Sequence, residues 1–411
     1  TLTGHEGLEK LMQTSLRGIA QKAKQLKKYR FRNLYSLLNS ASLKEAFKRV
    51  NKRAAAGIDK ISAEEFAENL DGSINEIVDK LKRKKYRAKL VRRVYIPKGE
   101  GKTRPLGLPA IADKVIQSAA VKVLEAIYEQ EFSPNSYGYR PKVGAKTAVK
   151  ALTEELQFKK YSYIVEADIK GFFDNIDHEW LIKMLEQRVD DKAFIGLIRK
   201  WLRAGILEPD GQVINPITGT PQGGIISPIL ANIYLHNALD IWFEKVVKPR
   251  CQGEAYMCRY ADDFTCAFRY KRDAERFYRV LGKRLNKFGL ELAAEKTNII
   301  SFSRFRKAEN TSFDFLGFEF RWQVSHRGKD IIKKRTSRSK MRKSLASVRQ
   351  WCKENRNKRL PNLFSMLNAK LRGYYNYYGV IGNYASLNEY YYITKKILYK
   401  WLNRRSQRRS F

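Results

Sequence analysis

Two short apolar runs, Ala255–Tyr260 and Phe264–Phe268, stand on either side of the adjacent aspartates Asp262 and Asp263. Runs of this length read as strands, and the spacing between them leaves room only for a tight turn that contains both carboxylates. Like charges so close repel, and both ionise comfortably only with a cation between or beside them. Neighbouring strand residues point to opposite faces, so one of the pair is expected to face a metal. Asp262 is the stronger candidate and Asp263 the weaker. Another carboxylate has to come from elsewhere. Tyr163-Ile164-Val165 reads as a buried strand running into Asp168, which makes Asp168 the best choice. Oxygen-only ligands favour Mg²⁺. Two such ions side by side stabilise both the attacking and the leaving oxygen in nucleotidyl transfer. Alone, an Asp-Asp dipeptide is most often a solvated loop tip; its company decides the matter.

The charge balance narrows the partners. The chain of 411 residues holds 81 Lys+Arg against 42 Asp+Glu, a net charge of +39. Such an excess is best tolerated when a polyanion neutralises it. It is also uneven: residues 321–411 carry 24 Lys+Arg and 3 Asp+Glu, a net of +21. With 43% hydrophobic residues the chain has enough apolar side chain for a sizeable core. No apolar run is long enough to span a membrane, and no secretory signal opens the sequence. Cys251, Cys258, Cys266 and Cys352 form no Cys-x-x-Cys pair, which argues against structural zinc and a disulfide framework and fits a reducing cytoplasmic setting.

Residues 1–90 are basic and helical in pattern. Arg92–Lys98 and the run through Arg104 to Pro109 read as a hairpin with a basic tip around Gly99-Glu100-Gly101-Lys102. His178 to Arg203 carries helical periodicity. Ala274, Phe277, Leu281, Leu285 and Phe288 recur at helical spacing, with Gly289 as C-cap. Strands and helices without regular βαβ order point to an α+β fold. The last part is helical, with stripes at Met341, Leu345, Val348 and Cys352, then Leu367, Leu371, Tyr374 and Tyr378. Leu387, Tyr391, Thr394, Leu398 and Trp401 suggest a third. Ser325-His326-Arg327-Gly328 breaks the pattern and is taken as the start of a separate domain.

Ala167-Asp168-Ile169-Lys170-Gly171-Phe172-Phe173-Asp174-Asn175-Ile176, Gly219-Thr220-Pro221-Gln222-Gly223-Gly224-Ile225-Ile226-Ser227-Pro228 and Tyr260-Ala261-Asp262-Asp263 follow one another in order. This series resembles the successive palm motifs of reverse transcriptases. Ala56-Gly57-Ile58-Asp59, Arg104–Pro109, Ser136-Tyr137-Gly138-Tyr139-Arg140-Pro141 and Leu371–Gly379 are similar to segments of bacterial group II intron reverse transcriptase-maturases. The resemblance covers nearly the whole chain. It implies a right-hand polymerase: an N-terminal extension and start of the fingers over 1–90, fingers over 91–160, palm over 161–325 with a helical insertion at about 178–210, and an α-helical thumb, or domain X, over 326–411.

Carried over residue by residue, the resemblance implies that Asp168, Asp262 and Asp263 hold two Mg²⁺ ions, with Mn²⁺ able to substitute. Lys98 and Arg104 would grip the incoming deoxynucleoside triphosphate. Phe173 would crowd a ribose 2′-OH, and Gln222 with its glycines would lie under the templating pair. Lys296 would protonate departing pyrophosphate, and Phe315-Leu316-Gly317 would form the primer grip. Lys333, Lys334, Arg335, Arg342, Lys343, Arg372, Arg404, Arg405, Arg408 and Arg409 would contact RNA phosphates, affinity of a kind that falls steeply with salt. Tyr374, Tyr375, Tyr377, Tyr378, Tyr384 and Tyr390 to Tyr392 are divided between helix packing and RNA contact. The implied partners are intron RNA, as template and ribozyme, and a DNA primer or target. The implied place is the bacterial cytoplasm, at the nucleoid when bound to DNA. These residues show no counterpart of the His-Asn-His nuclease segment that many such proteins carry after the thumb, which fits either a member that lacks it or a piece of a longer protein.

Three other readings compete with an intron-splicing polymerase. Related reverse transcriptases serve CRISPR adaptation, phage defence or diversity generation. A maturase can keep the fold and bind RNA without polymerising. An RNA-dependent RNA polymerase would usually show Gly-Asp-Asp at the turn.

Overall fold

A computed structural model of the chain describes residues 4–99, 102–305 and 311–405. The basic first stretch is helical: α1 (Gly4–Gln25), α2 (Ser40–Arg49), α3 (Ala63–Glu68) and α4 (Leu70–Lys82). Asn39 and Ser42 each accept the other's backbone N–H at the start of α2, and Ser62 and Glu65 do the same for α3. These reciprocal caps satisfy donors that a helix's first turn leaves over. β1 (Val91–Gly99) and β2 (Lys102–Leu108) make the expected hairpin, with Ile96 opposite Arg104 and a register slip between Pro97 and Gly99. Next come α5 (Ile111–Tyr128), α6 (Ala145–Phe158), β3 (Tyr163–Ala167) and the short β4 (Ile169–Lys170).

The helical run read over His178–Arg203 is two helices, α7 (His178–Glu186) and α8 (Lys192–Leu202). The chain breaks between them because the Asp191 side chain accepts the N–H groups of Ala193 and Phe194 and starts α8 afresh. β5 (Ile206–Leu207), β6 (Val213–Ile214) and α9 (Ser227–Leu235) follow. β7 (Ala255–Tyr260) and β8 (Asp263–Phe268) are the two strands read around the aspartates. α10 (Lys271–Asn286) stops where expected, with Gly289 at φ +68. The chain continues through β9 (Glu291–Leu292), β10 (Asn298–Ser301), β11 (Ser312–Phe315), β12 (Phe318–Val324) and β13 (Asp330–Thr336). It closes with α11 (Arg338–Asn355), α12 (Leu360–Tyr378) and α13 (Tyr384–Leu402).

The fold is mixed α+β and divides into two compact units. One takes in the chain up to Pro141, Ile169–Val247 and Val280–Leu292. Its four-stranded sheet runs β2-β1-β5-β6, and β4 and β9 form a separate two-stranded sheet. α5 lies at its centre, with α1, α2 and α9 packed on it. Its buried residues, Ile111, Val115, Ile116, Val123, Leu124 and Ile127 among them, leave little polar face, as a helix surrounded by others requires.

The other unit takes in Lys142–Asp168, Lys248–Arg279 and the described chain from Ala293 on. Its first sheet, β10-β3-β8-β7, is antiparallel throughout and is covered by α6 through Ala148, Val149, Leu152 and Leu156. Its second sheet is the meander β11-β12-β13, whose inner face carries Phe313, Phe315, Phe318 and Phe320. Ser325–Gly328, read as a boundary, is the turn of the β12–β13 hairpin, and helix begins only at Arg338. In α13 the buried stripe is Ser386, Tyr390, Thr394 and Ile397: it keeps Thr394 of the expected stripe and otherwise sits one residue before Leu387, Tyr391 and Leu398. Tyr390 stacks on Tyr374 of α12 at 3.6 Å, and the small Ser386 and Thr394 leave room for that approach.

Asp113 stands inside α5, buried, and accepts from Tyr86 Oη at 2.7 Å, the Lys89 N–H at 3.2 Å and Trp201 Nε1 at 3.2 Å. Burial holds its carboxyl above the ordinary carboxylate range, against the pull of those donors. Asp113→Ala strands three donors and is expected to cost about 3 kcal/mol in urea denaturation. A raised native pKa means the ionised group opposes folding at high pH, so wild type is expected to gain on Asp113→Asn as pH falls from about 8 toward about 4.

Candidate active site

β3 and β8 pair with Ala167 opposite Phe264 and Glu166 opposite Thr265. That register sets Asp168, the residue after β3, beside Asp263, the first residue of β8. Both stand on the wall of an open cavity of about 790 Å³. The same wall carries Lys296, Phe315-Leu316-Gly317, Lys340 of α11, and Tyr377 and Tyr378 of α12. All of these belong to the second unit.

The turn between β7 and β8 holds Ala261 at φ +58. A side chain in that left-handed region costs about 1 kcal/mol, and strain of this kind gathers at functional sites. The buried Arg259 guanidinium donates to the Ala261 carbonyl at 3.0 Å and pins the strained residue. Tyr260 lies opposite Asp263, and directly opposed residues share a face. Asp263 therefore joins Tyr260 on the cavity wall, and Asp262 stands next to it in the turn.

The electrostatics fit crowded acids. Asp263 is open to solvent at the cavity surface, yet its carboxyl is pushed up to about 6. The protein mass around it acts first, then the charges of Asp262 and Asp168, with Lys340 and Lys296 pulling the other way. Lys296 Nζ donates to Asp168 Oδ2 at 2.6 Å, and this bond raises the lysine's pKa. Among the described residues no three His, Cys, Asp or Glu side chains close into a ready metal cluster. One oxygen of Asp168 is already engaged by Lys296. The donor set still suits a hard divalent cation: it is all oxygen, and its charges repel one another.

The primer-grip segment read from the sequence is the β11–β12 turn. Leu316 and Gly317 form a two-residue loop between the paired Phe315 and Phe318, at φ +51 and +78. Both central residues with positive φ mark the type I′ hairpin turn, which Leu adopts only under strain. Tyr377 Oη donates to the Leu316 carbonyl at 3.0 Å, and the Ser337 N–H to the Gly317 carbonyl at 2.9 Å. A Cβ on Gly317 would stand 3.1 Å from Tyr378 Oη.

Arg104, Phe173 and Gln222 belong to the first unit. Phe173 is half-buried, its ring edge-on to Phe172 at 5.3 Å and to Tyr139 at 6.3 Å. Its carbonyl accepts the Thr220 N–H at 2.8 Å, and the Gln222 amide reaches Asp174 Oδ2 at 3.5 Å. The Gln222 carbonyl in turn accepts the Gly107 N–H of β2 at 2.5 Å. Gly223, at φ +109, passes so close to β2 that a Cβ would stand 2.5 Å from the Gly107 carbonyl. Phe173 and Gln222 are thus brought together by the glycine-rich loop, and Arg104 is exposed on β2. The Lys98 side chain lies outside the described residues.

An acid and a lysine escaped the sequence reading. Glu166 Oε1 accepts the Asp314 N–H of β11 at 2.7 Å, and burial first of all pushes its carboxyl up to about 7. Its signal was an acid inside an apolar strand, two residues before Asp168 and so on the same face. Asp314 itself lines the cavity. Nothing in its spacing marked Lys340 among so many cations.

The basic set divides. Lys333, Arg342, Lys343, Arg372 and Arg404 are exposed. Lys334 is not available for phosphate: β13 alternates, and Lys334 points inward with Ile332 and Thr336, its Nζ on Thr153 Oγ1 at 3.1 Å. Burial lowers its pKa. Arg335 is tied to Glu319 at 2.6 Å, and Arg405 donates to the Arg356 and Lys358 carbonyls. Arg408 and Arg409 lie outside the described residues. Of the tyrosines, Tyr374, Tyr378 and Tyr390 are core, whereas Tyr377, Tyr384, Tyr391 and Tyr392 are exposed. Among the described residues no helix is long and apolar enough to cross a membrane.

Comparison with known proteins matches residues 96–320 to the family described as reverse transcriptase (RNA-dependent DNA polymerase) and residues 341–411 to the group II intron, maturase-specific domain. The chain is 32% identical over 428 residues to the group II intron-encoded protein LtrA of Lactococcus lactis subsp. cremoris, spanning 84% of this chain and 69% of that protein. It is 28% identical over 405 residues to the putative COX1/OXI3 intron 1 protein of Saccharomyces cerevisiae, 79% of this chain and 48% of that one. Protein YkfC of Escherichia coli is 32% identical over 237 residues, 51% of this chain and 62% of its own.

The charge crowding at Asp263 has a measurable sign. Its native pKa of about 6 lies above the ordinary 3.8, so the ionised carboxylate opposes folding above about pH 6 and the penalty fades as pH falls through that value. With solvent screening counted, Asp263→Asn in EDTA is expected to exceed wild type in stability by about 1 kcal/mol near pH 8 and to match it near pH 4. Urea denaturation at the two pH values checks this; equal stability near pH 8 would remove charge crowding from the site.

Proposed function

Because the chain belongs to the group II intron-encoded reverse transcriptases, RNA-directed DNA polymerases that carry a maturase domain, we propose that Asp168, Asp262 and Asp263 are its catalytic, metal-holding carboxylates. The observation that carries this reading is the position of Asp168 and Asp263 on the wall of one open cavity, at facing ends of paired strands. Two Mg²⁺ ions held there would, when bound, stabilise the attacking primer hydroxyl and the departing pyrophosphate.

The remaining roles belong to the protein's own groups. Lys296 orients Asp168 and donates a proton to the leaving pyrophosphate. Lys98 and Arg104 bind the triphosphate of the incoming deoxynucleotide. Phe173 crowds the 2′ position of the sugar, and the loop around Gln222 supports the templating pair. The Phe315-Leu316-Gly317 turn holds the primer end, steadied by Tyr377. In right-hand terms, residues 1–90 are an N-terminal extension and the start of the fingers, 91–160 fingers, 161–325 palm and 326–411 thumb. Lys333, Arg342, Lys343, Arg372 and Arg404, with Arg408 and Arg409, contact phosphates of the intron RNA, whose folded form the protein stabilises for splicing in the bacterial cytoplasm.

Primer extension on an RNA template tests the catalytic half. Asp168→Asn and Asp263→Asn are each expected to slow extension by about 10³-fold or more while RNA binding persists. Phe173→Ala is expected to admit ribonucleotides and leave deoxynucleotide incorporation largely intact. Undiminished synthesis by either aspartate variant would defeat the carboxylate assignment.

A further inference from the structure

The β10-β3-β8-β7 sheet has two ends, and the carboxylates occupy one. At the other, where β3 begins and β8 and β10 finish, lies a second concavity of about 370 Å³. Tyr163 at this end and Asp168 at the other are five residues apart along an extended strand, about 17 Å. No described residue lines both cavities; β3 runs from one to the other.

The floor of this concavity is hydrogen-bonded. The Ser162 N–H donates to the Phe268 carbonyl at 2.9 Å, the Phe302 N–H to the Ser162 carbonyl at 2.8 Å, and Ser162 Oγ to Ser303 Oγ at 3.3 Å. Around it stand three cations, Lys160, Arg269 and Lys271. Two acids face them, at long range: Glu254 is 3.7 Å from Arg269 and Glu275 is 3.5 Å from Lys271. Both pairs are solvent-exposed and worth little, so a phosphate would displace them readily.

Two aromatic rings complete the rim. Tyr270 is 41% exposed, with the Arg269 guanidinium over its ring at 5.2 Å. Phe305 is 75% exposed, with Arg304 over its ring at 5.2 Å. A Phe so open leaves the hydrophobic gain of burial unused. A lone inorganic anion would use the cations and leave the rings without purpose. Rings beside cations and hydroxyls match a nucleotide whose base is free to stack, whose phosphate is charged and whose 2′-OH takes part in hydrogen bonds. Bases within a duplex are already stacked and do not qualify.

We propose that this concavity binds an unpaired stretch of RNA, with Lys160, Arg269 and Lys271 on its phosphates and a base against Tyr270 or Phe305. The site lies apart from the polymerase carboxylates and does not depend on their assignment.

The test uses the full chain with its polymerase site saturated by an RNA–DNA primer–template ending in a dideoxynucleotide. A short fluorescent oligouridylate is then titrated by anisotropy at several salt concentrations. Wild type is expected to bind it. Lys160→Ser/Lys271→Ser is expected to weaken binding at least about tenfold and to flatten the log–log salt slope by about 1.4. Phe305→Ala is expected to weaken binding about tenfold with the slope unchanged. All replaced side chains are exposed, and the extension rate of each variant on an ordinary primer–template should equal that of wild type, which also reports intact folding. Unchanged affinity in both variants, no binding by wild type, or equal competition by duplex RNA of the same length would overturn the proposal.

Discussion

The antiparallel pairing of β3 with β8 is the constraint on which the site depends, because it alone brings Asp168 next to Asp263 from about a hundred residues away along the chain. The pairing is unfavourable at its tip, where like charges meet, and favourable along its length, where Ile164, Val165, Phe264 and Cys266 are buried. The apolar strands hold in place what the carboxylates would push apart. Arg259 and Lys296 act in the same sense, one fixing the strained Ala261 and the other bonding Asp168. Stability is conceded at the strand ends and recovered in the sheet, the usual arrangement at a functional site.

The segment matched as a maturase domain takes part in that site. Tyr377 and Tyr378 of α12 line the same cavity as the aspartates, and Tyr377 holds the carbonyl of the strained Leu316. The stack of Tyr374 on Tyr390 and the inward Asn383, which accepts the Thr336 N–H at 2.8 Å, fasten these helices to the end of β13. A hairpin turn that requires positive φ at Leu316 would relax without such support. The three helices that follow β13 therefore bear on the cavity that carries the aspartates.

The large positive charge has two uses that composition cannot separate. Arg188 is buried and donates to the carbonyls of Lys27 and Tyr29, with Glu131 as its ion-pair partner. Arg140 forks onto Glu129 and caps the Ser133 and Ser136 carbonyls. These cations, like Lys334, Arg335 and Arg405, hold the fold together. The exposed remainder is what a polyanion meets.

By itself the sequence determined the elements around the aspartate turn, the β1–β2 hairpin, the α+β class and the family. Each rests on local signals: apolar runs of strand length, turn residues, and motifs in a set order. It also placed Asp168 as the companion carboxylate, since a buried strand ending in an acid is legible in one dimension. Tertiary structure alone set Asp263 opposite Tyr260, because that follows from the cross-strand pairing of β7 with β8. It alone decided that Lys334 turns inward and that Ser325–Gly328 is a hairpin tip, because strand alternation and pairing are set by partners distant in sequence. It alone brought Glu166, Lys340 and Tyr377 to the site, since their neighbours come from separate segments and no local pattern records them. The aspartates were visible in the chain; the surroundings that make them a site come from the packing of sheet against helix.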